Sequence, residues 1–100
     1  MNEKQLSEKV KSGVSVVTGR IQRYKAEQTE KFGSNEKYGI LVGDQVLEFT
    51  IWAPKGTPVD KIPRPPFADK PGTVVAAIGA TIKLDGKYLR TSAESVQAVE

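Results

Sequence analysis

Over most of this chain, apolar and polar residues alternate with a period of two, the pattern of strands that bury one face. The exception is the start. Residues 2–11 read as a short helix in which Asn2 caps with Gln5 three positions on, and Leu6 and Val10 fall one turn apart. A stripe only two residues wide cannot hold a helix alone, so this element leans on the rest or frays.

From Gly13 the residues become β-branched: Val14, Val16, Val17, Thr18 and Ile21 lead through Arg20, Gln22, Arg23 and Tyr24 to Lys25, one long strand. Gly19 interrupts it where the alternation shifts, which predicts a bulge or sharp coil and lets the strand pair with two neighbours. Thr29 to Lys37 is polar and without periodicity, and reads as a loop with Phe32 in its middle. Tyr38 to Val42 and Gln45 to Trp52 form a hairpin around Gly43-Asp44, so that Val42 opposes Gln45, Ile40 opposes Leu47 and Tyr38 opposes Phe49. Tyr38, Ile40, Val42, Leu47, Phe49 and Ile51 then share the core face. Leu41, Val46, Glu48, Thr50 and Trp52 share the other.

All six prolines lie between Pro54 and Pro71, in a long irregular connection spanning residues 54–72. A helical turn from Pro58 to Ile62, capped by Thr57, fits there before Pro63 stops it. Thr73 to Leu84 and Lys87 to Thr91 flank Asp85-Gly86, predicting a second hairpin in which Leu84 opposes Lys87 and Ile82 opposes Leu89. Gly79 marks a bend in its longer strand, and Val96 and Val99 leave room for a short final strand or turn.

The length of 100 residues allows one domain, divided into a helical extension (1–12) and a β domain (13–100). A glycine-bent first strand, two hairpins and a long connection predict a mainly β fold: a five-stranded Greek-key barrel with a short N-terminal helix, resembling the OB-fold. The proline-rich connection replaces the helix that usually joins the third and fourth strands of that fold.

With neither cysteine nor histidine, the sequence excludes thiolate and imidazole chemistry and the usual zinc sites, and a reducing, cytoplasmic setting fits. Asn2, Glu3 and Lys4 at the start, and only short apolar runs thereafter, predict neither export nor membrane spanning. The carboxylates are dispersed, no serine is flanked as in a nucleophile elbow, and no glycine pattern enters a helix as in a phosphate-binding loop. No enzyme, cofactor or metal site is expected.

Lysine and arginine exceed aspartate and glutamate by 15 to 12, and the excess rides on two strand segments. Arg20, Arg23 and Lys25 lie on the first, with Tyr24 among them; Lys83, Lys87 and Arg90 lie on the second, with Tyr88. Trp52 joins them on the non-core face. Aromatics interleaved with cations suit single-stranded nucleic acid, whose bases expose faces for stacking while the cations follow the phosphates. Each residue also has a plainer reading. Trp52 near a strand end is equally suited to the core; Tyr24 and Tyr88 pair across strands on a solvated sheet; Phe32 either plugs the barrel end or meets a ligand; Lys83, Lys87 and Arg90 keep edge strands soluble; Phe67 anchors its proline-rich loop.

The run Gly86-Lys87-Tyr88-Leu89-Arg90 leading to Ser95-Val96-Gln97-Ala98-Val99 is similar to the end of the single-stranded DNA-binding proteins of bacteria, phages and plasmids. That resemblance implies a protein that coats single-stranded DNA with little sequence preference in replication or recombination. Stacking then falls to Trp52, Tyr88, Tyr24 and Phe32, and phosphate contact to Arg20, Arg23, Lys25, Lys83, Lys87 and Arg90. The sequence carries no acidic tail of the kind many bacterial members use, which points to a minimal version of phage or plasmid type. RNA is the neighbouring ligand class, homo-oligomers through an open edge strand a further partner class, and a protein-interaction or assembly module the rival reading.

Overall fold

The computed structural model describes residues 2–99, with all side chains among them except those of Val10 and Asp85. The expected Leu6–Val10 stripe therefore lies partly outside the described residues. Helix α1 (Glu3–Lys11) is capped reciprocally: the Gln5 N–H donates to Asn2 Oδ1 at 2.8 Å and the Asn2 N–H donates to Gln5 Oε1 at 3.1 Å. It ends at Gly13, whose φ of 86° lets the chain reverse, with the Val14 N–H returning to the Lys9 carbonyl.

Among the described residues seven strands follow: β1 (Val16–Thr29), β2 (Gly33–Val42), β3 (Gln45–Trp52), β4 (Val74–Ile78), β5 (Thr81–Asp85), β6 (Tyr88–Ser92) and β7 (Ser95–Ala98). Their hydrogen-bonded order is β5-β6-β3-β2-β1-β4-β7. The fold is mainly β, as expected, but the count is seven rather than five and the ladder order leaves β5 and β7 at its ends rather than closing on itself. The reason is local. At Gly79 (φ 65°) the backbone turns so that the N–H groups of Gly79 and Ala80 both reach the Ser15 carbonyl, which cuts the expected Thr73–Leu84 strand into β4 and β5, and the tail adds β7.

Strand β1 pairs with β4 over Val16–Arg20 and with β2 over Arg20–Thr29, so it serves two neighbours as its length predicts. Its irregularity falls between Ile21 and Arg23, at Gln22, not at Gly19. Gly19 has a different use: a Cβ there would lie 2.2 Å from the Leu41 carbonyl oxygen, so only glycine lets the strands approach.

The β2–β3 register is the expected one, with Val42 opposite Gln45, Ile40 opposite Leu47 and Tyr38 opposite Phe49. Gly43 takes φ 63° and Asp44 keeps a negative φ, the sign pattern of a type II′ turn. The β5–β6 hairpin departs from expectation: Leu84 faces Leu89 and Ile82 faces Thr91, so the turn residues are Gly86-Lys87 rather than Asp85-Gly86. Gly86 (φ 62°) occupies the first central position that a type II′ turn reserves for glycine.

The region expected to be a loop from Thr29 to Lys37 is mostly strand. Only Glu30–Phe32 turns, held by Thr29 Oγ1, which accepts from the Phe32 N–H and donates to the Gly33 carbonyl. In the proline-rich connection, one 3-10 turn forms at Val59–Lys61, with Pro58 rather than Thr57 at its cap position, and a second at Pro66–Asp69. Phe67 drives into the core as the anchor the sequence suggested. It joins Ile21, Tyr38, Ile40, Phe49, Val75, Ala77 and Val96 in one buried cluster, with its ring 6.0 Å from that of Tyr38. No helix among the described residues is long and apolar enough to cross a membrane.

Candidate functional site

Directly opposed residues of an antiparallel ladder share a face, so the registers of β1, β2 and β3 arrange the outer face in rows. Glu27, Asn35 and Trp52 form one row; Lys25, Lys37 and Thr50 the next; Arg23, Gly39 and Glu48 the third; Arg20, Leu41 and Val46 the fourth. Strand β6 joins at the parallel pair Thr50–Ser92, supported by the Thr91 hydroxyl donating to the Glu48 carbonyl. Opposite β6, Lys83 pairs in register with Arg90. Between this hairpin and the three-strand face lies an open groove of about 670 Å³, lined among others by Asn35, Lys37, Glu48, Trp52, Lys83 and Arg90.

Two aromatic rings stand at one end. Trp52 is 50% exposed and Phe32 is 75% exposed, with ring centroids 6.2 Å apart at 72°, edge to face. Trp52 thus belongs to the surface, and Phe32 projects from the Glu30–Phe32 turn to meet it instead of filling the interior.

The cations are partly committed. Lys37 Nζ lies 2.8 Å and Lys25 Nζ 3.4 Å from Glu27, and Arg23 reaches Glu48 at 3.7 Å. Gly39 makes the last contact feasible, because a Cβ there would sit 2.7 Å from the Arg23 side chain lying across it. The Lys37 hydrogen bond, helped by Lys25, holds the Glu27 carboxyl below its usual range, and Glu27 in turn raises Lys37. Lys83 and Lys87 make no ion pair among the described residues.

Of the expected site residues, Trp52, Lys83 and Arg90 line the groove, Phe32 touches Trp52, and Arg23 and Lys25 lie on the same face. Lys87 and Tyr88 sit at the hairpin tip, with the ammonium 5.6 Å from the ring centroid. Arg20 turns to the proline-rich connection and donates to the Gly72 carbonyl at 2.9 Å.

Tyr24 is not brought to this face. The bulge at Gln22 puts Arg23 and Lys25 outward and Tyr24 inward, where its ring meets Tyr38 at 5.0 Å and the Arg64 guanidinium at 5.4 Å. The Tyr24 and Tyr38 hydroxyls both donate to Glu36 Oε2 at 2.7 Å; burial first, then that bond, raises both hydroxyl pKa values.

Sequence reasoning missed Asn35, Lys37, Glu27 and Glu48 as groove residues. The signal was present: running the β2 alternation back from Tyr38 places Lys37 and Asn35 outward with Gly39 and Leu41. Among the described residues no three carboxylates converge to hold a metal ion. No protein-family model matches the chain, and a search of curated proteins returns no similar sequence.

Proposed function

We propose that this chain binds single-stranded DNA with little sequence preference, coating it in the cytoplasm during replication or recombination, and that it does so by binding and not by bond-making. The observation that carries the reading is the exposed Trp52–Phe32 pair at the end of a groove lined by Lys37, Lys83 and Arg90. A flat exposed ring offers a base about 1–3 kcal/mol of stacking, and flanking cations answer the phosphates. In a duplex the base faces are already stacked, so the same groove favours single strands.

An OB-type barrel is the frame we propose for it. The support is connectivity: β4 with β5, and β6 with β7, are continuous runs bent at Gly79 and at Ala93-Glu94. Counted as two bent strands beside β1, β2 and β3, they give the five strands such a barrel needs, and the β1–β4 and β3–β6 pairings are the contacts through which we propose that it closes.

The test is fluorescence anisotropy with a labelled oligo-dT, a duplex of equal length and an oligo-U. Tight binding of oligo-dT that the duplex competes for poorly supports the reading. Preference for oligo-U would move the ligand to RNA, and indifference to all three would sink nucleic-acid binding. A second reading, an assembly module, is favoured by the exposed Ile82, Leu84 and Leu89 of the β5–β6 hairpin. It predicts a mass that rises with protein concentration without any oligonucleotide.

A further inference from the structure

Asn35 lies in register between Glu27 and Trp52 and lines the groove, yet it is only 2% exposed and its Oδ1 is buried with no hydrogen-bond partner. Its neighbour Ser34, equally buried, is satisfied: its hydroxyl donates to the Thr57 carbonyl at 2.7 Å. A buried acceptor with nothing donating to it costs desolvation and returns nothing. Valine or threonine would fill a strand position there more cheaply. An unpaired acceptor at this place is accounted for if a ligand supplies the missing donor.

The position says which donor. Cross-strand neighbours stand about 5 Å apart, so a base stacked on the Trp52 indole overhangs Asn35. A carboxamide offers an acceptor beside a donor, which complements an adjacent donor–acceptor pair. Every base carries such a pair on its Watson–Crick edge: the amino group and ring nitrogen of adenine and cytosine, the imino N–H and carbonyl of thymine and guanine. In a duplex those edges are consumed by pairing.

We infer that Asn35 is a base-edge contact of the groove, accepting an N–H from the unpaired edge of a base stacked on Trp52, and that it selects single strands while tolerating sequence. The inference rests on the single-stranded DNA reading above. Reaching the sealed oxygen requires a side-chain rotation in the groove wall, where the cross-strand neighbour Trp52 is half exposed.

The test compares oligo-dT with an equally long oligomer of N3-methylthymidine, which keeps charge and ring but lacks the imino donor. The wild-type chain is expected to bind the methylated oligomer about three- to tenfold more weakly for each base engaged. Asn35→Ala, checked for folding by circular dichroism, is expected to bind oligo-dT correspondingly weakly and to lose nothing further on methylation. Equal wild-type affinity for the two oligomers overturns the assignment while leaving the function standing, as does a methylation penalty undiminished in Asn35→Ala. Failure of the wild-type chain to bind oligo-dT overturns the functional reading and the contact with it. Should Asn35→Ala not fold, the wild-type comparison alone decides.

Discussion

Lys25 and Lys37 both reach Glu27, so two of the cations best placed to follow a phosphate backbone are held by a carboxylate of the protein itself. A bound strand has to take them over. Glu27→Gln should therefore tighten binding to oligo-dT by several-fold and steepen its salt dependence by about one counterion per lysine released; anisotropy titrations across salt concentrations check both. The pH effect has a definite sign. Because the Lys37 hydrogen bond holds Glu27 below its ordinary pKa, its ion pairs are intact at neutral pH and are lost only as pH falls through that lowered value. Binding should strengthen in that acid range for the wild-type chain relative to Glu27→Gln. Trp52→Ala removes the stacking platform and should weaken binding by about 1–3 kcal/mol, while thermal unfolding shifts little because the ring is half in solvent.

The elements show which parts of the chain were legible and why. The β2–β3 hairpin could be read residue by residue because Gly43-Asp44 admits one tight turn and a buried stripe fixes its register. At β5–β6 neither aid operated: Asp85-Gly86-Lys87 offers two overlapping turns, and Ile82, Leu84 and Leu89 are exposed, so no buried face selected between them. The partners shifted by two residues, which preserved faces, so Lys83, Tyr88 and Arg90 still share a side. Tyr24 was misplaced for another reason. A bulge at Gln22 reverses the alternation, and neither Gln22 nor its neighbours carry a composition signal for it. Polar Ser34 and Asn35 hid the start of β2, since their burial answers to Thr57 and to the groove rather than to hydrophobic patterning. Gly19 was visible but its purpose was not: the close approach of the Leu41 carbonyl exists only in three dimensions. Gly19→Ala should force β1 and β2 apart and lower the unfolding temperature far more than Trp52→Ala, a difference readable by scanning calorimetry.

Across the whole molecule, the face opposite the groove is closed by the proline-rich connection. Phe67 enters the core beside Tyr38, and Arg64 covers Tyr24 while pairing with Asp69 at 2.5 Å. Phe67→Ala should cost about 3–5 kcal/mol of stability by emptying its site, measurable by urea denaturation, yet leave the groove chemistry intact in the folded fraction. The chain has one tryptophan, so its fluorescence reports on one place only. The most direct measurement is a titration of that emission with poly-dT at low and high salt. The account predicts strong quenching at low salt, with the midpoint moving to higher poly-dT concentration as salt rises. Emission that does not change at saturating poly-dT, or a midpoint indifferent to salt, would contradict it.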